Sequence, residues 1–91
     1  MFFLFYYICG VWLYHKKKFS QAKCFFIKTI EKQNNNAQAY FKLGMCYFKL
    51  CEWKEANEYI AKALILCPSK ISWNIQLKQT ENHLNSMISI P

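Results

Sequence analysis

The 91-residue chain has no arginine and no aspartate. Its formal charge of +7 comes from twelve lysines set against five glutamates, Glu31, Glu52, Glu55, Glu58 and Glu81. Without the planar guanidinium fork there is no bidentate reader of phosphate or guanine, so the basic charge draws polyanions loosely and implies no specific nucleic-acid site. A bias of the coding genome toward lysine is an equally good account of that charge. Glycine and proline occur only twice each, which leaves room for long helices and little for hairpin turns. The five cysteines, at positions 9, 24, 46, 51 and 67, include no Cys-x-x-Cys pair, and His15 and His83 stand far apart. Metal ligation needs paired ligands at short spacing, so no metal site is expected. The thiols read instead as small buried hydrophobes of a reducing compartment. The absence of an Asn-x-Ser/Thr sequon agrees with a cytoplasmic address. No glycine loop for phosphate and no Cys–His pairing is visible, so neither catalysis nor a cofactor is expected.

What is present is apolar. Hydrophobic residues make up 54% of the chain and aromatics 19%, too much for a disordered tail. The length allows one small domain, which buries only about 60–65% of its unfolded surface. Residues 1–14 are almost wholly apolar and are followed by Lys16, Lys17 and Lys18. A helix over this run is about 21 Å long, short of a hydrocarbon core of about 30 Å. Charge before the run and a cleavage site after it, as in a signal peptide, are also missing. A soluble helix is the first reading and a membrane anchor with cytoplasmic lysines the alternative. The lysine run is a solvated turn or a contact with anionic lipid.

The stretch from Ala37 to Pro68 is the most informative. It places Tyr40, Leu43, Gly44 and Tyr47 at helical spacing, then Ala56, Ile60 and Ala63, then Pro68. A glycine inside a helix costs about 1 kcal/mol relative to alanine. Close approach of a neighbouring helix is the reason to tolerate it. Ala56 and Ala63, seven apart, share a face on which a paired helix can nest, and Pro68 ends the second helix. The pattern resembles the tetratricopeptide repeat, an aromatic, Leu-Gly, an aromatic, then Ala, a large apolar residue, Ala and a closing Pro, with Ile60 standing for the usual aromatic.

Sliding back by the family period of 34 residues finds a weaker copy. Tyr6 falls under Tyr40, Gly10 under Gly44, Ala22 under Ala56 and Lys28 under Lys62; Cys9 replaces Leu43, Leu13 replaces Tyr47 and Phe26 replaces Ile60. Thr29 stands under Ala63, and Asn34, Asn35 and Asn36 make a turn and helix cap where the later copy has proline. After Pro68, residues 69–88 form one more helical pattern with Trp73, Leu77, Leu84 and Ile88 on one face. Asn74 and Glu81 stand where a third repeat needs apolar residues, so this segment reads as a capping helix, with Trp73 in its core.

The expectation is therefore an all-α fold, an α-α superhelix of antiparallel hairpins, with helices near 2–15, 19–32, 37–50, 53–66 and 70–88. Its parts are a degenerate repeat at 3–36, a second at 37–70, and a cap and tail at 71–91. Arrays need about three repeats for independent stability, so self-association, further repeats upstream or a fragment of a longer array are open alternatives. The resemblance implies a protein or peptide ligand held in the concave groove lined by the first helix of each repeat. By register that lining is Leu4, Tyr7, Ile8, Val11, Tyr14 and His15, then Gln38, Phe41, Lys42, Met45, Phe48 and Lys49, an aromatic surface with a lysine rim suited to apolar anchors and acidic groups. The carboxylate clamp of some co-chaperones in the family is mostly missing: Lys42 matches one basic slot, but Gln38, Tyr7, Ile8 and Val11 do not match the others. A membrane-anchored protein with a cytoplasmic repeat is the other functional reading. Glu58 and Lys62 are spaced for an i,i+4 ion pair.

Overall fold

A computed structural model describes residues 2–88, and side chains from 4 to 86. Met1, residues 89–91 of the expected tail, and the side chain of Ile88 on the expected cap face lie outside the described residues. Five helices follow one another: α1 (Phe2–His15), α2 (Phe19–Lys32), α3 (Ala37–Lys49), α4 (Trp53–Leu66) and α5 (Ile71–Ile88). No strand occurs among the described residues. The helices pack in chain order, α1 on α2, α2 on α3, α3 on α4 and α4 on α5, into a slab of 50 × 28 × 19 Å. It is an all-α helical repeat.

The backbone repeats itself at the 34-residue offset. Each hairpin turns through a non-glycine residue in the left-handed region, Lys17 at φ 63° and Cys51 at φ 62°. In the first turn Lys18 N–H donates to the Leu13 carbonyl and Lys17 N–H to that of Tyr14, both at 2.9 Å. In the second, Glu52 N–H donates to Tyr47 at 2.9 Å and Cys51 N–H to Phe48 at 3.0 Å. These bonds satisfy the last carbonyls of α1 and α3 in the Schellman pattern. The second helices end alike, at Gln33 (φ −145°, ψ 81°) and Cys67 (φ −143°, ψ 79°).

Helix starts differ. Asn36 caps α3, its Oδ1 accepting from Ala39 N–H at 3.1 Å while its Nδ2 donates to Gln33 Oε1 at 2.9 Å. Neither Lys18 nor Glu52 offers a side-chain cap to α2 or α4. Pro68 follows the end of α4 at Leu66, as its missing N–H and the constraint on the residue before it require.

The core follows the small-residue logic. Ala22, Phe26, Leu43 and Cys46 form one buried cluster, and Tyr40, Ala63 and Trp73 a second. A methyl group on Gly10 would lie 2.7 Å from Phe26 Cε1, and one on Gly44 2.6 Å from Ile60 Cγ1. Both glycines therefore stand where the two helices of a hairpin touch. On α5, Trp73 and Thr80 are buried, with Leu77 and Leu84 partly so, while Asn74, Lys78, Glu81 and Asn85 are exposed. The helix thus covers α4 with one face and offers water the other.

Two expectations need correction. Cys46 is buried and Cys9 and Cys67 partly so, but Cys24 and Cys51 are exposed, the latter because it occupies the left-handed turn position. Glu58 and Lys62 form no ion pair; Lys62 Nζ lies over the Tyr40 ring, 5.6 Å from its centroid. An exposed i,i+4 pair is worth about 0.3–0.5 kcal/mol and an exposed cation–π contact about 0.5–1 kcal/mol, so the ring is the better partner. Among the described residues the ion pair that forms is Lys23 Nζ with Glu52 Oε1 at 3.5 Å.

Candidate functional site

The first helices of successive hairpins lie side by side and run the same way. Contacts advance together along them: Tyr7 meets Gln38 and Tyr14 meets Lys42 between α1 and α3, and Phe41 meets Trp73 and Phe48 meets His83 between α3 and α5. Their shared surface holds a cavity of about 280 Å³ lined by Tyr7, Gln38, Phe41, Lys42, Lys70 and Trp73. Its floor is the Phe41–Trp73 pair, stacked with centroids 4.7 Å apart and planes at 9°. Tyr7 donates its hydroxyl to Gln38 Oε1 at a long 3.4 Å, which leaves the Gln38 amide N–H groups for a ligand. Burial pushes the Tyr7 phenol above its ordinary value, so it stays a neutral donor.

The two lysines give the cavity its charge. Lys42 Nζ lies 5.3 Å from the Tyr14 ring centroid, and Lys70 Nζ 5.6 Å from that of Trp73. Neither is in an ion pair among the described residues, and no carboxylate lines the cavity. Gln38 sits in the first turn of α3 and Trp73 in that of α5, and neither turn carries an acidic residue, so the positive ends of two helix dipoles add to the lysine field. The arrangement suits an acceptor-rich group beside a flat apolar one.

Of the residues expected in the groove, Tyr7, Gln38, Phe41 and Lys42 meet at this cavity. Val11 lines a separate, apolar depression of about 350 Å³ with Tyr7, Ile8, Trp12 and His15. Met45, half-buried, and Lys49, exposed, line neither. Phe48 turns its ring toward the start of α4 and the cap, edge-on to Trp53 at 5.0 Å and to His83 at 5.6 Å, while His83 stacks on Trp53 at 4.3 Å. Sequence reasoning did not place Lys70 in the groove, and it assigned Trp73 to the core alone. The 34-residue register gave no signal for them: carried one step further it puts Ile75, which is exposed, in the position of Phe41, and Lys70 and Trp73 under Asn36 and Ala39.

Cys46 illustrates how dry the interior is. Burial pushes its thiol from 9.0 up to about 12, against the opposing pull of Lys23 and Lys42. Among the described residues no three His, Cys or Glu side chains gather as a metal would need, and no helix is long and apolar enough to cross a membrane.

Residues 37–70 match the family model described as tetratricopeptide repeat. The α3–α4 hairpin is a tetratricopeptide repeat. The matched segment is the α3–α4 hairpin together with the turn into α5, so it contains Gln38, Phe41 and Lys42 of the cavity. No curated protein sequence matches the chain at a significant level. Tetratricopeptide repeats in general are non-catalytic protein–protein interaction modules.

Proposed function

We propose that this protein is a scaffold or adaptor module that holds a peptide or helix in the groove formed by α1, α3 and α5. The reading divides the chain into a degenerate repeat at 3–36, a second repeat at 37–70 and a cap at 71–91. The address that goes with it is cytoplasmic, the reducing compartment that thiols without paired spacing suit.

The observation that carries the reading is the convergence of three helices on one cavity. Tyr7 comes from α1, Gln38, Phe41 and Lys42 from α3, and Trp73 with the adjoining Lys70 from α5. A bound peptide would lay an apolar side chain on the Phe41–Trp73 stack and an acidic group between Lys42 and Lys70, where charge-assisted hydrogen bonds are short and strong. Interaction energy concentrates in such aromatic anchors.

The test is a peptide-array selection on the purified chain, followed by calorimetric titration of the best binder. The expected binder is an acidic peptide with an aromatic or large aliphatic residue. Phe41→Ala should weaken it by more than ten-fold, and Lys42→Glu by a similar factor with a loss of salt dependence. Binding that neither substitution alters would refute this groove as the site.

A further inference from the structure

The first helix shows an apolar surface that lies outside the cavity at Phe41 and Trp73. Leu4, Phe5, Ile8 and Trp12 are 54%, 59%, 57% and 58% exposed, all on a helix of fourteen residues that carries no charge before His15. The 34-residue register shows how unusual this is. The positions equivalent to Phe5 and Trp12 are Ala39 and Cys46 on α3, and Trp73 and Thr80 on α5. All four are buried, because α2 and α4 cover those faces.

At the Trp12 position the two covered helices carry small residues, Cys46 and Thr80, each wholly buried, which let a neighbouring helix nest closely. On α1 an indole stands there instead, more than half exposed. Leu4 and Ile8 widen the apolar face where α3 has the polar Gln38 and Lys42.

The charge is as uneven as the hydrophobicity. No acidic residue precedes Glu31, and five of the twelve lysines do. Lys23 is paired with Glu52; Lys16, Lys17, Lys18 and Lys28 are in no ion pair among the described residues and are exposed. Two of them flank the aromatic face directly. Lys16 Nζ lies 5.6 Å from the Trp12 ring centroid, and Lys28 Nζ 5.6 Å from that of Tyr6. Like charge opposes pairing of this face with a second copy of itself, and the same charge attracts an anionic surface.

We propose that the exposed face of α1 lies on an anionic lipid surface, with Leu4, Phe5, Ile8 and Trp12 entering the headgroup boundary and Lys16 to Lys18 and Lys28 meeting the phosphates and carboxylates. The chain lies on the bilayer; α1 is too short to cross it. Trp beside lysine is the pairing that sits at a membrane–water boundary, and affinity there is the sum of buried apolar area and attraction to anionic lipid. The groove cavity is left open to a second ligand.

The experiment is co-sedimentation of the full chain with vesicles of phosphatidylcholine alone and of equal parts phosphatidylcholine and phosphatidylserine. The expected result is binding to the anionic vesicles that falls with salt, and little binding to neutral ones. Trp12→Ser and Phe5→Ser should each cut affinity by about ten-fold or more, with the cooperative melting transition retained because both side chains are more than half exposed. Lys16→Gln, Lys17→Gln and Lys18→Gln should each cost about five-fold. Absence of binding to anionic vesicles, equal binding to neutral ones, or binding indifferent to these substitutions would overturn the proposal. So would a chain that ignores vesicles and sediments as a dimer that Trp12→Ser converts to a monomer, which would give the face to a second copy.

Discussion

Replacing Gly44 by alanine sets two effects of known size against each other. Helix propensity favours the change by about 1 kcal/mol. Sterics oppose it: the new methyl group would lie 2.6 Å from Ile60 Cγ1, 3.1 Å from the Ile60 backbone nitrogen and 3.3 Å from the Ala56 carbonyl oxygen. The first contact is with a side chain that is itself wholly buried, and the other two are with backbone that no rotamer change can move. Relief requires α3 and α4 to separate, and overpacking of this kind costs about 1–3 kcal/mol, toward the upper end when backbone must shift. The net expectation is a loss of about 1–2 kcal/mol, or about 5–15 °C in melting temperature for a domain this small. Thermal unfolding followed by far-ultraviolet circular dichroism measures it. In an Ile60→Ala background the same substitution should cost less by about 1 kcal/mol, since the closest contact is gone and the backbone contacts remain. Gly44→Ala that melts at or above the parent temperature, or an effect independent of Ile60, would refute the close-approach account of this glycine.

Three further outcomes are expected. Cys51→Gly should raise stability by up to about 1 kcal/mol in the same melting assay, because glycine takes the left-handed turn conformation without steric strain; a loss would mean that the thiol makes a contact that matters more. Asn36→Ala should lower stability by about 1 kcal/mol through loss of the cap on α3, with faster amide exchange at Ala39 as its local signature. Raising pH should unfold the protein. The folded Cys46 thiol holds its proton up to about 12 whereas the unfolded one releases it near 9.0, and burial also raises Tyr7, Tyr14 and Tyr47. The folded state therefore binds more protons in that window, so stability is full below about pH 9 and falls above it. Denaturant titration across this range tests the slope, and thiol labelling under native conditions should reach Cys24 and Cys51 well before Cys46.

How far the chain could be read without coordinates depended on whether a feature was local. Helix limits were legible to within a residue, because Pro68, the asparagine run and the spacing of Tyr40, Leu43 and Tyr47 all act within a turn or two. The glycines were legible as contacts because no other local reason tolerates them. The Glu58–Lys62 pair was misjudged because its competitor, the Tyr40 ring, comes from the preceding helix. Cys24 and Cys51 were misjudged because residue type gives a burial average and not a place. Lys70 was missed from the groove because its position there depends on where α5 docks.

The periodic pattern of apolar and small residues by itself determined the all-α class, the hairpins and their order, since each follows from helical spacing and short turns. Only the tertiary structure decided which first-helix residues meet. Three helices far apart in sequence bring Tyr7, Lys42 and Lys70 to one cavity, and which side chains converge depends on helix rotation and offset. It also decided that the face carrying Phe5 and Trp12 is left uncovered where its counterparts are buried. That is a property of neighbours in space, which spacing along a single chain does not encode.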